Sequence, residues 1–207
     1  MDYRFQACNL GAFQSPIDIG RTISSPELRK IQFDYDPTSF EMLFDGNMVS
    51  AKPSDIIRIK FEGQTYFLEQ VYFHTPSEHR IQGEPTDGEI QLIHRNDRGE
   101  RLAVSILIWE GSRLPAFDVM MGKIPRKVGT KKILVGWDLR NFLPKKRKYF
   151  RYSGSMTFPP CEEGVTWVVF QDSIQFSGHQ LDQLSIAHGK NNRPVQSLGN
   201  RIPLRSR

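Results

Sequence analysis

Two stretches constrain this chain most: residues 69–74, reading EQVYFH, and, beyond a break at Thr75-Pro76-Ser77, residues 89–94, reading EIQLIH. Both mix aromatic, branched and polar residues with a period near two, the pattern of strands rather than helices. Side chains two apart on a strand share a face. Tyr72 and His74 therefore point one way and Val71 and Phe73 the other, while Glu89, Gln91 and Ile93 oppose Ile90, Leu92 and His94. If the strands pair, Tyr72, His74 and Gln91 converge on one spot, with the carboxylates of Glu78 and Glu89 close by.

The same cadence recurs along the chain. Strand-like runs at 28–35, 39–44, 56–61 and 65–73 are separated by Asp36-Pro37, Asp45-Gly46-Asn47, Lys52-Pro53-Ser54 and Glu62-Gly63, all residues suited to turns. Asn96-Asp97-Arg98-Gly99 then turns the chain into residues 102–109, a nearly continuous apolar run of the kind buried on both faces. Residues 115–124 suit a short helix with Phe117, Met120 and Met121 as its apolar face. Ser177 suits the N-cap of a second helix carrying Leu181, Leu184 and Ala187, closed by Gly189. The expected class is mainly β with short helices (α+β), one domain over 1–207 around a central twisted, mostly antiparallel sheet.

Composition fits that frame. The 207 residues are 38% apolar and 25% charged, ordinary for a soluble protein, and no apolar run is long enough to cross a membrane. Met1-Asp2-Tyr3-Arg4-Phe5 has no signal-peptide apolar core, so the protein is either cytosolic or the chain starts after a removed signal. The net charge is +5. Basic residues gather at Arg126, Lys127, Lys131 and Lys132, then at Lys145, Lys146, Arg147, Lys148 and Arg151. Such a run is usually a solvated face; the alternative is a docking face for an acidic protein, a sulfated glycan or an anionic surface. It matches no nucleic-acid recognition module, so no nucleic-acid partner is expected. On spacing alone, Cys8 and Cys161 read as two free thiols.

Four motif blocks carry a resemblance: Gln14-Ser15-Pro16-Ile17-Asp18-Ile19; the stretch from Gln70 to His94; Tyr152 to Trp167, containing Gly154-Ser155-Met156-Thr157-Phe158-Pro159-Pro160-Cys161; and Asn192 to Arg201, containing Arg193-Pro194-Val195-Gln196. In that order they resemble the α-class carbonic anhydrases. The resemblance implies that family's fold, and it implies a Cys8–Cys161 disulfide with export, either periplasmic or secreted.

It also implies a site. The family's three zinc-binding histidines fall on Tyr72, His74 and Gln91, so only His74 is kept. Gln91 offers a neutral amide, and Tyr72 would bind only as phenolate, giving up a proton with a pKa near 10. Glu78 and Thr157 match the pair in which a carboxylate orients a threonine hydroxyl beside the metal-bound oxygen. Glu89 matches the acid that holds the third ligand, and here would accept from the Gln91 amide instead. Asn47 stands at the proton-shuttle position and relays no proton near neutral pH, while Phe158 narrows the cavity. Ile93, Val104, Met156 and Trp167 match the apolar wall. His79 and His94 match structural positions, and His179 and His188 lie in the C-terminal helix region with no spacing that brings them to the sheet.

Two ligands lost from a kept frame lead to an expectation of a catalytically inactive binding or assembly module of this family, with no cofactor and with a protein or anionic partner. The alternatives are an active zinc-dependent carbonate dehydratase with a diverged metal site, and a basic-face protein that binds polyanions or glycans.

Overall fold

A computed structural model describes residues 6–207; residues 1–5, on which the signal-peptide argument rests, lie outside the described part. Eight longer strands carry the frame: β1 Thr38–Phe44, β2 Val49–Pro53, β3 Gln64–His74, β4 Gly88–Arg95, β5 Arg101–Glu110, β6 Lys131–Trp137, β7 Tyr149–Ser155 and β8 Glu163–Phe170. They lie in one 13-stranded sheet in the order β6-β1-β2-β3-β4-β5-β8-β7, extended by Leu204–Arg205 and Ile23–Ser24. Neighbours among the eight run antiparallel except β5 and β8, which are parallel. Among the described residues three α-helices accompany them, α1 Gln6–Leu10, α2 Pro115–Met121 and α3 Gly178–His188, with one 3₁₀ turn at Leu139–Phe142.

The turn chemistry explains the connections. Glu62 and Gly63 both take positive φ, 47° and 78°, and join Arg58–Phe61 to β3 as a tight hairpin. Ser177 caps α3 in a reciprocal capping box with Gln180, and Gly189 ends that helix at φ 67°. One expected strand is mostly absent. Of residues 28–35 only Gln32–Asp34 joins a ladder, against Arg58–Phe61. Tyr149 donates its hydroxyl hydrogen to the Arg29 carbonyl at 2.7 Å, so part of that segment is held by a side chain.

The strand period divides the core in two. Phe73, Leu92, Val104, Val168 and Phe170 belong to one cluster, closed by Phe117 and Met120 of α2 and by Leu181, Leu184 and Ala187 of α3. Ile93, Ala103, Leu107, Trp167 and Val169, on the opposite face, pack with Ile17, Tyr152 and Met156. β4 and β5 are buried on both sides; in β5 this shows as a nearly continuous apolar run, whereas β4 carries buried polar residues on the site's face. Cys8 and Cys161 form a disulfide across 153 residues of sequence, tying α1 to the Pro159-Pro160 loop.

Candidate active site

β3 and β4 set the site by their register, with Tyr72 opposite Gln91 and His74 opposite Glu89. Directly opposed side chains on one face sit about 5 Å apart at Cβ. The convergence expected from the alternation is therefore present, and it is built from polar groups that are almost wholly buried: His74 2%, Glu78 2%, Glu89 0% and Gln91 1% exposed. Buried polar atoms must find partners or cost about 1–3 kcal/mol each.

Glu89 satisfies that demand most fully. One oxygen accepts from the backbone N–H groups of Glu78 and His79, both at 2.9 Å. The other accepts from His79 Nδ1 at 2.7 Å, Ser105 Oγ at 2.8 Å and Gln91 Nε2 at 3.0 Å. Burial by itself would raise this carboxyl's pKa, but the charge and hydrogen bonds of His79, with His74 adding, bring it down to about 2. The expected Glu89–Gln91 contact is made. Gln91 also donates to Glu78 Oε2 at 2.7 Å, so its amide nitrogen bridges the two carboxylates.

Glu78 departs from expectation. Its oxygens accept from Gln91 and from the Arg193 backbone N–H at 2.9 Å, leaving no contact to Thr157. Thr157 Oγ1 is buried with no partner. So is His74 Nε2, because the other ring nitrogen, Nδ1, is the one beside acceptors: Asn191 O at 3.4 Å and Glu78 Oε1 at 3.6 Å. His74 and Thr157 line one cavity of about 250 Å³, with Asn47, Met48, Glu78, Phe158, Pro159, Lys190, Asn191, Asn192 and Arg193.

Tyr72 packs its ring against Phe158 at 5.0 Å. Burial, with Asp45 and Glu69 adding, raises its hydroxyl to a pKa of about 12, so the phenol stays protonated. Asn47 lines the cavity on an Asp45-anchored turn, its backbone N–H 2.8 Å from Asp45 Oδ1. The apolar wall needs one correction: Val104 pairs with Leu92 and lies on the opposite face, where Ala103 and Ser105 flank it toward the site. Ile93, Met156 and Trp167 do lie on the site's side, but as packing behind it. The cavity's apolar lining comes from Met48, Phe158 and Pro159.

The other histidines divide. His94 is bound to Tyr35 Oη at 2.5 Å and Leu102 O at 3.2 Å, and burial lowers its pKa to about 4. His79 spans Glu89 and Tyr152 Oη, both at 2.7 Å. Both are structural, as expected. His179 is exposed. His188 corrects the expectation of remoteness: α3 ends against Thr75, whose Oγ1 donates to Gly189 O at 3.2 Å, and brings His188 within electrostatic reach of His74. Burial chiefly, with His74 adding, lowers the pKa of His188 to about 4, and its Nε2 is unpartnered. The sequence reading also missed Asn191, which donates to Phe73 O and accepts from Thr75 N, and the role of Arg193. The NRP run from Asn192 was the only signal for them. On the basic face, Arg151 is ion-paired with Glu62 at 2.9 Å.

The family model described as eukaryotic-type carbonic anhydrase matches residues 2–206. A carbonic anhydrase of Nostoc sp. is 32% identical over 204 residues, covering 96% of this chain and 77% of the relative. One from Neisseria gonorrhoeae is 32% identical over 200 residues, covering 96% and 79%. The solved complex of α-carbonic anhydrase from Thermovibrio ammonificans with the inhibitor sulfanilamide superposes with a TM-score of 0.93 at 30% identity, covering 97% of this chain and 90% of the other. These likenesses overturn the expectation of a catalytically inactive module without a cofactor, since relatives matched along nearly the whole chain are named as the enzyme. With its sheet, its His74–Glu78–Glu89 cluster and its disulfide in place, the chain belongs to the eukaryotic-type carbonic anhydrase family.

Proposed function

We propose that this chain catalyses the reversible hydration of carbon dioxide, with a metal site diverged from the three-imidazole pattern. The observation that carries the reading is the pair of unpartnered groups, His74 Nε2 and Thr157 Oγ1, facing one cavity in a chain whose relatives are named carbonic anhydrase. When bound, zinc in such an enzyme supplies a water whose pKa is brought to about 7. His74 Nε2, which has no hydrogen-bond partner, fits as a ligand. The positions beside it do not: Tyr72 keeps its proton, Gln91 has its amide nitrogen committed to two carboxylates, and among the described residues no group of three His, Cys, Asp or Glu side chains is arranged to hold a metal. The described residues therefore supply one metal ligand, His74, and do not fit a three-imidazole centre.

The chain's own residues have definable tasks. Asn191 and Glu78 fix the His74 ring so that Nε2 faces the cavity. Thr157 offers a hydroxyl to an oxygen bound beside it. Lys190 and Arg193 put positive charge around the cavity, which attracts bicarbonate. Phe158 and Pro159 crowd water out. With one imidazole and no shuttling group at Asn47, turnover should be slow by the family's standards. The disulfide supports an extracytoplasmic setting, where such bonds persist. Stopped-flow hydration of CO2 with a pH indicator, on protein loaded with zinc and on chelator-treated protein, tests the reading. Zinc-dependent acceleration over buffer is expected. Loaded protein that gives no acceleration would refute it.

A further inference from the structure

Residues 28–31 and 145–149, with Ser206 and Arg207, line a groove of about 500 Å³. Seven of its lining residues are cationic: Arg29, Lys30, Lys145, Lys146, Arg147, Lys148 and Arg207. No Asp or Glu side chain lines it, and none of the seven side chains takes part in an ion pair among the described residues. The chain has 28 Lys and Arg against 23 Asp and Glu. Setting these seven aside leaves 21 cations against 23 anions, a net of −2, so the protein's whole excess of positive charge sits in this one groove. Like charges gathered without counter-charges repel, and the fold bears that cost here.

The groove is recessed and partly apolar. Leu28, Ile31 and Tyr149 contribute its uncharged lining. Arg147 lies over the Phe33 ring with its guanidinium carbon 5.2 Å from the centroid, which holds the planar fork in place. Tyr149 fixes the facing wall through its bond to Arg29 O. Adjoining depressions share Leu28, Arg29, Lys30, Lys148 and Arg207; one of them carries Glu27 and Glu62, so the purely cationic continuation runs past Lys148, Arg205 and Arg207. We propose that this groove binds a linear sulfated polysaccharide, whose sulfates pair with the cationic lining. A recess suits a chain better than a lipid plane. Single-stranded nucleic acid binds through aromatic platforms, and here Tyr149 is 1% exposed and Phe33 is covered by Arg147.

The probe is a fluorescent heparin-derived decasaccharide followed by polarization, at low salt and again near 0.5 M, where charges more than about 4 Å apart are screened. The parent binds and loses most of its affinity at the higher salt. The pairs Lys146→Glu with Lys148→Glu, and Arg29→Glu with Lys30→Glu, each weaken binding by roughly tenfold or more, equivalent to about 1.4 kcal/mol. The control pair Lys123→Glu with Lys127→Glu, outside the groove, changes it by less than about twofold. Hydrogen exchange of the parent gives a reading independent of any variant, with the sugar slowing amides in 28–31 and 145–149. Absent binding, equal loss in the control pair, or exchange protection elsewhere would each overturn the proposal. So would binding to single-stranded DNA of equal charge, or to anionic vesicles, as tight as to the decasaccharide.

Discussion

Replacing Glu89 by Gln removes one charge while keeping the shape of a side chain that is 0% exposed. Its five donors come from Glu78, His79, Gln91 and Ser105. An amide turned to keep its oxygen toward one set of donors puts its NH2 group against the other set. Breaking a buried, hydrogen-bonded charge cluster costs roughly 3–5 kcal/mol. Linkage gives a second figure. The carboxyl falls from an ordinary 4.5 to about 2 on folding, and at 1.36 kcal/mol per unit that gap amounts to roughly 3 kcal/mol. Because the folded value is the lower one, this stability is fully present above pH 4.5 and is lost as the pH falls toward 2. Urea unfolding should therefore show Glu89→Gln less stable than the parent by about 3 kcal/mol at pH 7, with the deficit shrinking to about 1 kcal/mol near pH 3. A deficit under about 1 kcal/mol at pH 7, or one that stays constant down to pH 3, would refute the assignment of Glu89 as the ionised hub.

Three further outcomes are expected. Tyr72→His with Gln91→His places three imidazoles on one face of β3 and β4, and chelator competition should show zinc affinity raised by about 100-fold or more, with faster CO2 hydration; a folded double variant that gains no affinity would contradict the register. Cys8→Ser with Cys161→Ser should lower stability by up to about 5 kcal/mol, as the loop closed spans 153 residues, and the intact parent should weigh about 2 Da less before reduction than after. Gly154→Ala should destabilise by about 3 kcal/mol and drop the melting temperature by several degrees, because a methyl there overlaps Ser15 Oγ and lies 2.8 Å from the Tyr152 ring.

The frame was legible because its signals are local. Alternation in residues 69–74 and 89–94, the Glu62-Gly63 turn and the Ser177 cap each act over a few residues, and each appears where expected. The site was legible only where side chains speak to neighbours on one ladder, as Glu89 and Gln91 do. Val104 was placed on the wrong face because its side depends on which residue of β5 stands opposite Ile93, and that residue is Ala103. Glu78 was assigned to Thr157, yet a backbone N–H from Arg193, 115 positions along, takes the oxygen; main-chain donors leave no mark in a sequence. His188 reaches His74 through the docking of α3 on Thr75, a tertiary event. The reading of lost function weighed two substituted positions above a likeness that spans nearly the whole chain.

Gln91 sets the order in which this site can change. Its amide nitrogen ties Glu78 to Glu89, and a histidine at 91 could keep one of those ties at most, since one ring nitrogen would have to face the cavity. A lineage returning to a third imidazole through residue 91 alone would give up folding stability before gaining a ligand set, because Tyr72 would still occupy the neighbouring position. Entering through residue 72 leaves the bridge standing while the second imidazole arrives. The bridge therefore favours one order of substitution, residue 72 before residue 91.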